Sequence, residues 1–87
     1  MKKIKMFVLA RCPYCRQSLN WMDELYAQNP RFKSLTIEMI DENERPDISD
    51  QYDYELVPAF YVDEQLIHSG AATKNLISDI FEDALKD

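Results

Sequence analysis

The chain has 87 residues, of which 46% are hydrophobic and 30% are charged, and its formal net charge is −6. These values predict one globular domain over residues 1–87 and exclude a disordered or fibrous chain. The excess of acidic residues, without a cluster of Lys and Arg, argues against a nucleic-acid-binding surface. The apolar stretch at residues 6–10 is too short to span a bilayer or to form the core of a signal peptide. We therefore expect a cytoplasmic protein with neither a membrane nor a nucleic-acid partner.

The first half of the chain predicts a strand, a helix and a second strand. Residues 3–9 (KIKMFVL) end in a continuous apolar run, which is typical of a central strand buried on both faces. Apolar residues then recur at three- and four-residue steps and predict a helix over residues 13–28, which must end before Asn29-Pro30. Alternating apolar residues predict the second strand over residues 34–40.

The second half predicts a short helix, a hairpin and a long helix. Pro46 suits the first turn of a helix that reaches residue 52. Residues 57–62 and 65–68 predict two strands joined by a turn at residues 63–64, and an apolar stripe predicts a helix over residues 73–86. The order is β-α-β-α-β-β-α, an α/β fold whose four-stranded mixed sheet carries helices on both faces. Its first two strands should be parallel and its last two antiparallel.

The only two cysteines lie three positions apart in Cys12-Pro13-Tyr14-Cys15, at the predicted junction of a strand and a helix. A zinc site needs four ligands, and beyond the cysteines the chain offers a single histidine, His68. A permanent disulfide across so short a loop would add little stability. A dithiol that cycles with its disulfide is favoured by the position of the pair in a β-α-β unit.

The position of the pair predicts a different role for each cysteine. Unpaired N–H groups and the positive end of the helix dipole stabilise a thiolate at a helix N-terminus, so Cys12 is the expected nucleophile. Cys15 lies one turn further in and is expected to resolve the mixed disulfide that Cys12 forms. Pro13 fixes a helix-compatible φ, and the bulk of Tyr14 can form one wall of a substrate groove.

Two further features of the sequence can be read in more than one way. Arg11 and Arg16 flank the pair and either lower the thiol pKa or are ordinary surface arginines. Val57-Pro58 either marks the edge of a strand or, if the bond is cis, exposes the Val57 backbone for pairing with an extended peptide.

CPYC after the first strand, VP at the third strand, the VDEQLI hairpin and SG before the last helix together resemble the glutaredoxins of the thioredoxin-fold superfamily. The resemblance covers essentially the whole chain. It implies a dithiol-disulfide oxidoreductase with a redox-active Cys12 and Cys15, without a metal or bound cofactor, in which Pro58 is cis. The implied substrate-binding positions are Arg11, Pro13, Tyr14, Leu56, Val57, Pro58, Ser69, Gly70 and Ala71.

The chain departs from this family at the glutathione site. Leu9 stands where a basic residue is usual, Leu56 where a Thr is usual, and SGAATKN replaces a Gly-Gly pair followed by Asp, of which Gly70 remains. The expected substrates are disulfide-containing proteins or mixed disulfides of glutathione, and glutathione is an expected co-substrate. Electrons would come from glutathione and its reductase or from a thioredoxin reductase. We expect the protein to be a monomer. The alternative is a non-catalytic thioredoxin-fold adaptor or a metal-binding module with structural cysteines.

Overall fold

Four strands and three α-helices follow one another in the predicted order within residues 1–86, the part of the chain that the computed structural model describes. A short 3-10 helix, Pro30–Ser34, separates the first α-helix from the second strand. No helix in this part of the chain is both long and apolar enough to cross a membrane. The elements are β1 Ile4–Val8, α1 Pro13–Gln28, β2 Ile37–Asp41, α2 Pro46–Ser49, β3 Ala59–Val62, β4 Gln65–Ser69 and α3 Lys74–Ala84.

Strand β1 lies in the middle of a four-stranded sheet with the order β2-β1-β3-β4. It is parallel to β2 and antiparallel to β3, and β3 and β4 form the antiparallel hairpin. Phe7 of β1 therefore lies between Ile40 and Ala59 of its two neighbours. The pairing on both edges and the packing on both faces explain the apolar run of β1, and they confirm the predicted mixed sheet. The buried side chains of β1 are Ile4, Met6, Phe7 and Val8.

Helices α1 and α3 cover one face of the sheet and form with it the main core, here called the helical core. Phe81 of α3 is fully buried, and its ring centre lies 5.8 Å from that of Tyr26 and 5.2 Å from that of Phe32. The other buried members of the helical core that lie in strands or α-helices come from β1, β3 and both helices, and Ile37 of β2 packs against them. They include Ile4, Met6, Val8, Met22, Leu25, Phe60, Val62, Ile77 and Ile80.

The opposite face of the sheet carries a smaller aromatic cluster, here called the tyrosine core. The ring centre of Phe7 lies 5.0 Å from that of Tyr52, 4.8 Å from that of Tyr54 and 5.7 Å from that of Tyr61. Ile48 of α2 packs against the same cluster. Helices therefore lie on both faces of the sheet, as predicted.

The second strand begins later than predicted, at Ile37 instead of residue 34. Pro30 starts the 3-10 helix, and the Asn29 side chain accepts the N–H of Arg31 at its first turn. This helix buries Phe32 and delivers the chain to the edge of the sheet only afterwards. The alternation of apolar residues also suggests that Met39 is buried, but its side chain is exposed because β2 is an edge strand.

Three other predicted boundaries are wrong by more than one residue. The third strand begins at Ala59 instead of residue 57, because Pro58 has no N–H to donate to a strand ladder. The short helix ends at Ser49 instead of residue 52, after a single turn. The last helix ends at Ala84 instead of residue 86, and Thr73, where it was predicted to begin, is its N-cap. The predicted ends of β1 and β4 differ from the observed ends by one residue.

The predicted hairpin turn at Asp63 and Glu64 is present although it contains no glycine. Both residues have left-handed φ values, +48° and +69°, which a two-residue hairpin turn of this kind requires and side chains disfavour. Side-chain contacts hold both positions. Asp63 accepts the N–H of Lys3 at 3.0 Å, while Glu64 accepts the Tyr52 hydroxyl at 2.6 Å and lies 3.4 Å from the Lys5 ammonium.

Phe81→Ala should lower the free energy of unfolding by about 3–5 kcal/mol, because it leaves a cavity between Tyr26 and Phe32. The matched control is Leu66→Ala on β4, where the side chain is 43% exposed. This control should cost less than about 1 kcal/mol. Urea unfolding of both variants makes the comparison, and equal losses would contradict the assignment of the core.

Candidate functional site

The two cysteines are positioned by the end of β1 and the start of α1. After Val8 the chain turns, and the N–H of Cys12 is donated to the carbonyl of Leu9 at 3.1 Å. Cys12 is the N-cap residue in an extended conformation (φ −79°, ψ 119°), and Pro13 is the first residue of the helix. Cys15 therefore lies in the first turn. Both cysteines are free thiols.

The two thiols lie in opposite environments although three positions separate them. Cys12 is half-buried, and the N–H of Cys15 holds the pKa of the Cys12 thiol below its ordinary value; the Cys15 side chain and the N–H of Tyr14 act in the same direction. Cys15 is only 1% exposed, and burial raises the pKa of its thiol to about 11. The neighbouring Cys12 and the carboxylate of Glu42 contribute to this rise, whereas the backbone of Leu9 opposes it.

The two arginines do not account for the low pKa of Cys12. Arg11 and Arg16 are both exposed, and the groups that lower the pKa belong to Cys15 and Tyr14. Of the two interpretations of these arginines, the ordinary surface residue fits the structure. Backbone donors at the helix N-terminus lower the pKa of Cys12, and burial raises the pKa of Cys15; together they produce the difference between the two thiols.

Val57, which precedes Pro58, lies against Cys12. The Cys12 thiol points at the carbonyl oxygen of Val57, with 3.9 Å between sulfur and oxygen. The Val57–Pro58 bond is cis, as the resemblance implied. Pro58 is buried, and its carbonyl accepts the N–H of Gly70 at 2.9 Å. This hydrogen bond brings the segment after β4 to the same end of the sheet.

Leu56 lies over that segment. It is 60% exposed, and its Cδ1 atom would be 3.3 Å from a Cβ atom at Gly70, whose φ is +102°. Any side chain at position 70 would be strained and would meet Leu56. Beyond Gly70, the Ala71 carbonyl is hydrogen-bonded to Nε2 of His68 at 2.9 Å, and Ser69 is half-buried at the end of β4. Leu56 thus lies beside the buried Gly70, which is flanked in the chain by the half-buried Ser69 and the exposed Ala71.

Tyr14 and Pro13 are exposed at the start of the helix, and Tyr14 keeps 55% of its surface free. Tyr14 and Leu56 are therefore two large, exposed side chains, one on the helix that carries Cys12 and one beside Val57. Arg11 instead lines a cleft on the other side of Cys12. The predicted binding positions are thus divided between two sides of Cys12.

On the side of Arg11 a cleft of about 450 Å³ opens, whose far wall is acidic. Sequence reasoning did not find this wall. The available clue was topological, because the carboxyl ends of parallel strands lie at the same edge of a sheet and β2 ends at Asp41. Asp41 accepts the N–H of Ala10 at 3.2 Å, which joins the two walls. The cleft is lined by Leu9, Ala10, Arg11, Cys12, Asp41, Asn43 and Glu44.

Sequence reasoning also gave no role to Ser18, one turn after Cys15. Its side chain is completely buried, and within residues 1–86 its hydroxyl is the one buried side-chain polar group without a hydrogen-bond partner. A serine in an amphipathic helix gives no sign of burial by itself. In the same part of the chain, no three His, Cys, Asp or Glu side chains lie close enough together to hold a metal ion.

A family model described as "Thioredoxin domain" matches residues 2–82. No protein of curated function matches the chain. The oxidised thioredoxin of Plasmodium falciparum superimposes with a TM-score of 0.73 at 15% identity, over 98% of this chain and 82% of that one. The oxidised mitochondrial thioredoxin 3 of Saccharomyces cerevisiae superimposes with a TM-score of 0.72 at 21% identity, over 94% of this chain and 77% of that one. Both likenesses show the fold.

A third similar structure is a domain of the alkylhydroperoxide reductase AhpF of Enterococcus faecalis. It matches with a TM-score of 0.67 at 26% identity, over 92% of this chain and 37% of that one. This chain therefore corresponds to about a third of that longer chain.

Alkylation by iodoacetamide should distinguish the two thiols. We expect Cys12 of the reduced protein to react with a midpoint below the ordinary thiol pKa of 9.0, and Cys15 to react slowly with a midpoint near 11. Mass spectrometry of the labelled peptides over a pH series assigns each rate to its residue. If both thiols reacted alike with an ordinary midpoint, the two environments would be wrongly described.

The stability of the reduced protein should fall as the pH rises from 9.0 to about 11. In this window the unfolded chain has lost the Cys15 proton while the folded protein still binds it, so rising pH favours unfolding. Cys15→Ala removes this group, and the difference in unfolding free energy between wild type and variant should shrink over the same window. A constant difference would mean that the pKa of Cys15 is not raised by folding.

Proposed function

Because this chain belongs to the thioredoxin family, we propose that it is a thiol-disulfide oxidoreductase of the glutaredoxin type, in which Cys12 and Cys15 alternate between dithiol and disulfide. One observation carries the proposal. The same helical turn holds an accessible thiol of lowered pKa and a buried thiol of raised pKa. A dithiol that works in two successive steps needs this inequality, since only one thiol should meet the substrate.

In the first step the Cys12 thiolate attacks one sulfur of a substrate disulfide. A bond forms between Cys12 and that sulfur, the substrate disulfide breaks, and the other substrate sulfur leaves as a thiolate. The N–H groups of Cys15 and Tyr14 stabilise the attacking thiolate. The burial of Cys15 keeps it from competing for the substrate.

In the second step Cys15 loses its proton and attacks the Cys12 sulfur. The Cys12–Cys15 disulfide forms, the bond from Cys12 to the substrate breaks, and the second substrate sulfur leaves with the electron pair. Two electrons have then passed from the protein to the substrate. Before the next cycle the Cys12–Cys15 disulfide must be reduced again, either by glutathione or by a thioredoxin reductase.

The substrate would lie between Tyr14 and Leu56, because both side chains are exposed, Tyr14 lies on the helix that Cys12 caps, and Leu56 precedes Val57, whose carbonyl faces the Cys12 thiol. Pro13 begins the helix between Cys12 and Tyr14, and the buried Pro58 follows Val57 in the chain. On this proposal Ser69, Gly70 and Ala71 extend the surface beyond Leu56, and Arg11 contacts substrate on the side of the acidic cleft. Proteins with disulfides and mixed disulfides of glutathione are the proposed substrates.

The likeness to a domain of an alkylhydroperoxide reductase supports a redox role for this chain. The alternative, a non-catalytic adaptor or metal-binding module, has no observation that favours it. The two functions differ in a simple way, because an adaptor does not require a reactive Cys12.

Turnover assays with a protein disulfide such as insulin test the proposal. Wild type should turn over with at least one electron source, glutathione with its reductase or thioredoxin reductase. Cys12→Ser should abolish turnover with both sources. Cys15→Ser should keep the nucleophile but lose the resolving thiol, so a mixed disulfide with substrate should accumulate and show in the intact mass.

Circular dichroism serves as the control for folding in both variants, since each replaces one sulfur by oxygen. A Cys12→Ser variant that reduces insulin at the wild-type rate would overturn the proposal. A wild type that is inactive with both electron sources would favour the adaptor.

A further inference from the structure

The second step of the proposed cycle requires a fully buried sulfur to become anionic. Cys15 is 1% exposed, so water cannot stabilise the developing charge. The carboxylate of Glu42 opposes the thiolate, and Cys12 is tied up in the mixed disulfide at that moment. Among protein groups, the backbone of Leu9 favours the charged form. A second donor inside the core would ease this step.

Within residues 1–86, Ser18 is the one buried residue whose side-chain oxygen or nitrogen has no hydrogen-bond partner. It follows Cys15 by three positions on α1, a spacing at which side chains share a helix face with their Cβ atoms about 5–6 Å apart. Helical Cβ atoms lean towards the N-terminus, so the Ser18 side chain leans towards the turn that holds Cys15. Both side chains are buried, Ser18 at 0% and Cys15 at 1% exposure.

The Ser18 hydroxyl has no hydrogen-bond partner in the reduced protein. An unpaired buried hydroxyl destabilises a fold, and alanine at this position would favour the helix and bury no polar atom. Ser18 therefore lowers the stability of the reduced protein, and no contact in the reduced protein compensates for this cost. Its hydroxyl is free to serve a state in which a new acceptor appears beside it.

We propose that the Ser18 hydroxyl donates a hydrogen bond to the Cys15 sulfur as this sulfur becomes a thiolate and attacks the mixed disulfide on Cys12. The inference rests on the proposed function, since it concerns the resolving step. Ser18 keeps its own proton throughout. The Cys15 proton passes to solvent or to the departing substrate thiolate, and the bonds that form and break are those of the second step above.

The experiment follows the two steps separately in one reaction. Reduced protein is mixed with one equivalent of dithiobis-nitrobenzoate, and the coloured thionitrobenzoate is recorded by stopped flow. The first release reports attack by Cys12, and the second reports attack by Cys15 on the mixed disulfide. Unfolding by urea is measured on the same samples.

Ser18→Ala should slow the second release by about tenfold, because a hydrogen bond to a charged group is lost, and should leave the first release unchanged. The pH profile of the second release should move to higher pH. The unfolding free energy should stay the same or rise, since an unpaired buried hydroxyl is removed. Ser18→Thr keeps the hydroxyl and should restore the rate. The matched control is Ser78→Ala, a half-buried serine on α3 that should change neither release.

Two results would overturn the inference while the proposed function stands. One is a second release at the wild-type rate in Ser18→Ala. The other is a loss of stability with equal slowing of both releases, which would indicate a structural role. A wild type without any second release would instead contradict the proposed function itself, because Cys15 would then not resolve the mixed disulfide.

Discussion

The structure depends on one constraint: β1 is hydrogen-bonded on both edges and packed on both faces. Because both edges of β1 are occupied, the segment that follows it cannot pair with β1. The chain therefore turns away from the sheet after Val8. Val8 lies beside Asp41 of β2, and Phe7 lies beside Ala59 of β3. The end of β1 therefore gathers the cysteine turn, the segment after β2 and the Val57–Pro58 segment, although about forty-five residues separate the first from the last along the chain. The site is a product of the sheet topology more than of any local motif.

A second consequence follows from the abrupt start of α1 beyond this strand. The N-cap residue of a helix is half outside it, whereas a residue in the first turn can already face the core. Cys12 and Cys15 occupy these two situations, so hydrogen-bond donors dominate at one thiol and burial dominates at the other. No charged side chain is needed to make the two cysteines unequal. The spacing of the pair and the position of the helix start produce the inequality together.

The sequence predicted correctly the bounds of elements that begin and end at residues typical of helix starts and ends, such as proline. Helix α1 has Pro13 at its start and Asn29-Pro30 at its end, and its predicted bounds are confirmed. The start of β2 was wrong because apolar alternation through Leu35 does not reveal that the chain is still in a 3-10 helix. At the site, the CPYC motif identified the cysteines, and the resemblance to the glutaredoxins implied the cis bond before Pro58. The acidic wall near Asp41 and the burial of Ser18 depend on contacts between distant segments, which a single sequence does not show.

The two cores on opposite faces of the sheet also differ in their chromophores. Trp21, the single tryptophan of the chain, packs against the helical core, which also contains Cys15. The tyrosine core holds Tyr52, Tyr54 and Tyr61 and no tryptophan. Tryptophan emission therefore reports on the helical core without any label, whereas tyrosine absorbance draws mainly on the tyrosine core, with Tyr26 contributing from the helical core. A small domain that unfolds in one step must show both optical changes together, and a side that loosens first becomes visible as a separation between them.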